Sequence, residues 1–132
     1  MNIHEFLHND KFANHLGIEL IEAADGRAKT KLAIRDEHLN AVQIVHGGVI
    51  FSLADFTLAA AANSHGNIAV AVNANISFLK AAQKGTLCAE AIEISRNNKL
   101  ASYSINITNA EGELIANYHG MVYRKKETFP DK

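Results

Sequence analysis

The sequence has no tryptophan, one cysteine and one proline in 132 residues. A lone thiol, Cys88, excludes an internal disulfide and makes a reducing compartment, the cytoplasm, the expected setting. The lone proline, Pro130, lies in the last few residues, so no proline interrupts a helix or strand before it. An excess of one charge is missing too: 13 basic residues face 14 acidic ones, a formal net charge of -1. That balance offers no basic footprint for nucleic acid and no cationic face for an anionic membrane. The longest apolar run, residues 49–62, is too short and too rich in alanine for a membrane span. The first residues lack the basic start and apolar core of a secretory leader. A composition of 48% hydrophobic and 20% charged residues is that of a globular chain, and its length predicts one domain over residues 1–132.

The chain is organised around residues 46–66, HGGVIFSLADFTLAAAANSHG. From 49 to 62 only Ser52, Asp55 and Thr57 are not apolar or small. The stretch begins with a histidine and two glycines and stops at Asn-Ser-His-Gly. This predicts a buried helix of about four turns. Before it, residues 2–15 predict a short amphipathic helix ended by Gly17. Residues 18–34 predict a β-hairpin turning at Asp25-Gly26, with Ala28, Thr30, Leu32 and Ile34 on one face.

After it, strands are expected at 68–79, 86–95, 100–108 and 114–124, separated by Lys84-Gly85, Asn97-Asn98 and 109–112. In the first of these, Val70, Val72, Ala74, Ile76 and Phe78 share a face opposite Asn73, Asn75 and Ser77. The apolar phase slips near Ala91-Ile92, which predicts a bulge. Cys88 is expected to pack within its strand. Residues 125–132 read as a frayed charged tail. Consecutive strands joined by short turns imply an antiparallel sheet. A helix apolar on nearly every side needs that sheet to curve around it. The fold class is therefore α+β.

Candidate chemistry gathers on the same helix. Gly47 and Gly48 would let a ligand approach the backbone, and the first N–H groups of a helix have no internal acceptor. Such donors suit a developing oxyanion, though a tight turn would also use glycine. Asp55 is a carboxylate in an apolar helix, costly unless paired or used. At 1.5 Å per residue it lies about 12 Å along the axis from Gly47. No single substrate atom touches both in one chain. Either the two are unrelated, or a two-fold partner brings one chain's Asp55 to the other's helix start. Ser52 and Ala59 share the Asp55 face. Asn40 is a polar loop residue able to fix the loop or a ligand. Lys80, Lys84, Arg96 and Lys99 fall at strand ends, where they form a solvated rim or meet a nucleotide phosphate. His4, His8 and His15 lack metal-ligand spacing with carboxylates, so no metal is expected.

These residues resemble the central-helix motif of hotdog-fold thioesterases, in particular the phenylacetic-acid-degradation (PaaI-like) type. The likeness includes Asn40-Ala41 upstream, NISFL at 75–79 downstream, and the order of elements along the whole chain. It implies the hotdog fold, a curved antiparallel β-sheet wrapped around a long central α-helix. It also implies hydrolysis of acyl-CoA with no cofactor, at a dimer-interface site in a homodimer, often paired into a homotetramer. By motif position Asp55 matches the catalytic carboxylate. Gly47 matches the glycine that polarises the thioester carbonyl from the other subunit, and His46 and Asn40 match the positioning residues. Ala71 or Asn73 stands about where some members carry a Ser or Thr beside the water. Lys80 replaces the family's usual arginine, keeping its charge without its fork. Gly48, Ser52, Asn73, Lys80, Lys84, Arg96 and Lys99 are the candidate substrate contacts. A hotdog dehydratase, or an acyl-CoA-binding module without turnover, would be the other uses of this fold.

Overall fold

The central helix forms where the apolar run predicts it. In a computed structural model that describes residues 1–129, helix α3 spans Gly47–Asn63. His46 caps it: its Nδ1 accepts from the Gly48 N–H at 2.8 Å. At the other end the Ser64 hydroxyl donates to the Ala61 carbonyl at 2.6 Å, and Gly66 turns the chain away at φ 98°.

Around α3 runs one six-stranded antiparallel sheet. Its strands are β1 (Glu19–Ala24), β2 (Arg27–Ala33), β3 (Asn67–Phe78), β4 (Thr86–Arg96), β5 (Leu100–Thr108) and β6 (Leu114–Thr128). Their order across the sheet is β1-β2-β4-β5-β6-β3. This is the hotdog arrangement. The hairpin turns at Asp25-Gly26 as expected, with Ala28, Thr30 and Leu32 buried. Asn97 and Asn109 organise the later turns by accepting backbone N–H groups at 2.9–3.1 Å.

Small inward residues on the sheet, among them Ala28, Ala89, Ala91 and Ala116, let α3 lie close. A Cβ on Gly120 would stand 2.8 Å from Leu58 Cδ2, so β6 admits no side chain there. Larger residues fill the remaining space: Leu53 and Leu58 from α3, Leu87, Ile105, Ile107 and Ile115 from the strands, all fully buried. The polar Thr57 is accounted for in this core. Its hydroxyl donates to the Leu53 carbonyl at 2.7 Å, which leaves it to accept from Thr30 Oγ1 at 2.7 Å on β2.

Four expectations need correction. The N-terminal segment is two helices, α1 (Ile3–His8) and α2 (Lys11–Leu16), not one. Asp10 breaks them apart because its carboxylate accepts from the Ala13 N–H at 2.9 Å and caps α2. β6 runs to Thr128, well past Arg124, because residues 125–128 continue the ladder with β3 as far as Asn67. Pro130, Asp131 and Lys132 lie outside the described residues. In β4 the inward phase 87-89-91-93 does not slip at Ala91-Ile92, and the bulge lies between Glu93 and Ser95. The apolar pattern breaks because Glu93 points inward, where Tyr103 and His65 bond its Oε1 at 2.8 Å each. Finally, Cys88 is exposed on the outer face of β4, not packed.

β3 also departs from a one-faced strand. It pairs with β6 alone, and Val70 and Val72 are 42% and 55% exposed. A long, apolar, unpaired edge of this kind is a template for another chain. Among the described residues no helix is long and apolar enough to cross a membrane.

Candidate active site

The start of α3 is held from below and covered from above. Below it, the loop that delivers His46 is pinned by His38, which is almost fully buried. His38 Nδ1 accepts from the Arg35 N–H at 2.9 Å, so its Nε2 carries the proton and donates to the Leu16 carbonyl at 2.9 Å. The His38 carbonyl in turn accepts from the His46 N–H at 2.8 Å. Asn40 shapes the same loop, its Oδ1 accepting from Val42 and Ile44 N–H groups at 3.0 and 3.3 Å. Above the helix start, the Phe78 ring of β3 lies so close that a Cβ on Gly47 would stand 3.2 Å from its Cζ.

Because His46 occupies the Gly48 N–H, the donor left at the helix start is that of Gly47, which has no acceptor within the helix. It opens on a cavity of about 270 Å³ lined by Asn40, Ile50, Phe78 and Lys80 among others. The Lys80 ammonium pairs with Glu113 at the rim.

Asp55 lies on another face of the helix. Its cavity, about 280 Å³, is walled by Ser52 and Ala59 from α3, by the rings of Phe51 and Phe56, and by Asp10 and Phe12 from α2. The Tyr118 hydroxyl donates to Asp55 Oδ1 at 3.2 Å. Tyr118 is itself completely buried, and its ring meets Phe51 edge-on at 5.4 Å. Burial pushes the Asp55 carboxyl above its ordinary value; the Tyr118 bond pulls it down and the Asp10 charge pushes it up. Burial and the Asp55 charge both push the Tyr118 phenol up, so it stays a donor. Ser52 is not free to act on a ligand as a donor, since its hydroxyl bonds the Gly48 carbonyl at 2.7 Å.

The structure thus brings His46, Gly47, Gly48, Asn40 and Lys80 together at one end of α3, and Ser52 with Asp55 further along. The Gly47 and Asp55 cavities share no lining residue. Asn73 stands exposed on β3, opposite Met121 of β6. Lys84 is exposed just before β4 begins, whereas Arg96 and Lys99 stand at its far end, roughly 35 Å away by strand rise. The four basic candidates therefore do not form one cluster within a chain. Arg96 lies instead against the His65 ring, 2.7 Å from its Nε2.

Sequence reasoning missed Tyr118, Phe78, Asp10 and Phe12. The first had a usable signal. Tyr118 falls on the inward phase of β6 with Ala116, Gly120 and Val122, and a buried phenol needs a hydrogen-bond partner.

A family model described as the thioesterase superfamily matches residues 42–116, the span from the loop before α3 to β6. The acyl-coenzyme A thioesterase PaaI of Escherichia coli is 36% identical over 93% of this chain and 89% of its own. Its solved structure superposes with a TM-score of 0.93, covering 98% of this chain and 94% of that one at 35% identity. A protein of Archaeoglobus fulgidus named provisionally as an esterase is 45% identical over 92% of this chain and 80% of its own. The human acyl-coenzyme A thioesterase 13 is 33% identical over 75% of this chain and 74% of its own. With its curved sheet, its capped Gly-Gly helix start and its aspartate two turns further on, the chain belongs to the thioesterase superfamily, in the PaaI-like group of hotdog folds.

Proposed function

We propose that this protein is an enzyme that hydrolyses an acyl-CoA thioester to the free acid and CoA, at a site built from two chains. The observation that carries the reading is the separation of the Gly47 donor and the Asp55 carboxylate into two cavities of one helix. Each cavity holds half of what thioester hydrolysis needs, a carbonyl polariser or a base. A two-fold axis beside β3 supplies the missing half to both. The unpaired 12-residue edge of β3, with Val70 and Val72 exposed, supports pairing of that strand with its own copy. Apolar residues on the outer face of the sheet, Ile92 and Ile94, are 41% and 63% exposed and support the pairing of two dimers into a tetramer.

In the proposed reaction the thioester carbonyl accepts from the Gly47 N–H of one subunit, at the positive end of α3. Asp55 of the other subunit, ionised, takes a proton from water as the water oxygen bonds the carbonyl carbon, or attacks that carbon itself to form an anhydride that water opens after CoA has left, releasing the acid and freeing Asp55. The tetrahedral centre then expels CoA as a thiolate, which takes up a proton. Tyr118 holds one carboxylate oxygen, leaving the other for the reaction. His46 fixes the helix start and Asn40 shapes the loop beside it. Lys80, which lines the Gly47 cavity, and Lys84, four residues on in the same loop, are the cations assigned here to the CoA phosphates. The cytoplasm, where thiols stay reduced, is the assigned compartment.

Release of free thiol from a panel of aromatic and straight-chain acyl-CoAs tests the reading. Asp55→Ala is expected to abolish release while the dimer persists on sizing. Turnover by that variant at the wild-type rate would refute the assignment.

A further inference from the structure

Asp10 caps α2 and lies on the wall of the Asp55 cavity. Its helix is firmly mounted. Gly17 ends α2 with a left-handed cap, Arg35 Nη2 donates to the His15 carbonyl at 2.9 Å, and His38 donates to the Leu16 carbonyl at 2.9 Å. The carboxylate therefore has a fixed place rather than a mobile one. The rest of the wall is apolar or already bonded: Phe12, Phe51, Phe56 and Ala59, with the Ser52 hydroxyl turned to the Gly48 carbonyl. Among the described residues that line it there is no lysine, arginine or histidine. Within one chain the described lining of the cavity thus carries two carboxylates and no compensating cation.

We propose that Asp10 determines which acyl groups this site accepts, admitting uncharged ones and excluding those that end in a carboxylate. The inference rests on the thioesterase reading. An acyl chain whose thioester lies against Asp55 extends into this cavity, and a second anion entering it meets the Asp10 charge in a partly desolvated space. Screening by salt is weak there compared with a surface. Consistent with short range, the Asp10 charge already pushes the Asp55 carboxyl up; the other groups acting on Asp55 are its burial and Tyr118 from β6.

The test compares matched substrates of four to six carbons: butanoyl-, pentanoyl- and hexanoyl-CoA against succinyl-, glutaryl- and adipyl-CoA. Wild type is expected to favour the uncharged member of each pair. Asparagine and serine cap helices about as well as aspartate, so Asp10→Asn and Asp10→Ser keep α2 while removing the charge. Both are expected to narrow the kcat/KM gap about a hundredfold, the effect of two like charges about 6 Å apart at an effective dielectric near 20. Asp10→Glu keeps the charge and is expected to keep the gap. A wild type without preference, or a gap unchanged in both cap-preserving variants, would overturn the proposal while leaving the hydrolase reading intact. Failure of wild type to cleave any pair would instead strike the hydrolase reading, and this inference with it.

Discussion

The hydroxyl of Tyr118, buried on β6, reaches across 3.2 Å to Oδ1 of Asp55, half-buried on α3. This bond holds the carboxylate against the core and favours its charged form against burial, which opposes it. Tyr118→Phe keeps the ring packed on Phe51 and removes only the donor. The Asp55 carboxyl then titrates at higher pH, so the acid limb of the kcat/KM profile is expected to move upward. Loss of one hydrogen bond to a charged group is expected to lower kcat about tenfold at neutral pH. A role confined to packing would lower stability without moving the limb. The pH profile separates the two.

Asp55 should also cost the fold stability. Its carboxyl is raised above the ordinary aspartate value in the folded chain, chiefly by burial. Below the unfolded value the group is protonated in both states and contributes nothing. As pH rises from there through the folded value, the unfolded state gives up its proton more readily, and stability falls. Asp55→Asn keeps an acceptor for Tyr118 and carries no charge. It is expected to be inactive and more stable than wild type in urea at pH 7, with the difference vanishing towards pH 3. Active sites often hold such a trade between stability and activity.

Glu93 runs the other way. Burial raises its carboxyl, but hydrogen bonds from Tyr103 and His65, with the charge of Arg96, outweigh burial and hold it below the ordinary value of 4.5. The group therefore contributes stability above pH 4.5, and that contribution is lost as pH falls through the lower folded value. It ties the turn after α3 to β4 and β5 through bonds of 2.8 Å. Glu93→Gln is expected to lose about 1 kcal/mol at pH 7 and to match wild type in strong acid. Urea titrations at both pH values read the difference.

The long helix, the hairpin and the antiparallel sheet were legible because apolar periodicity and turn residues agree there. Asp25-Gly26, Asn97 and the Asn-Ser-His-Gly stop each carry local chemistry that names the structure. Residues whose meaning depends on distant partners were not legible. Asp10 looks like a polar residue within an amphipathic helix until Ala13 shows that it caps a second one. Glu93 looks like a lost phase until Tyr103 and His65 are seen around it. Residues 125–128 look like a tail because their charges hide a ladder whose partner lies about sixty positions earlier, at Asn67. Of the proposed site, Gly47 and Asp55 were readable as candidates from their neighbours on one helix. Tyr118 and Phe78 were not, since β6 and β3 bring them to α3 only in three dimensions.

The central claim is that a site needs Gly47 from one chain and Asp55 from another, and mixed dimers test it most directly. Asp55→Ala removes the carboxylate. Gly47→Val puts a branched side chain against the Phe78 ring, where even a Cβ would come within 3.2 Å. Each variant alone is expected to be inactive. When the two are dissociated, mixed in equal amounts and reassociated, half of the dimers pair one of each, and every mixed dimer holds one intact site out of two. Thiol release is expected to return to about a quarter of the wild-type rate. No recovery from a mixture shown to contain mixed dimers would contradict the account.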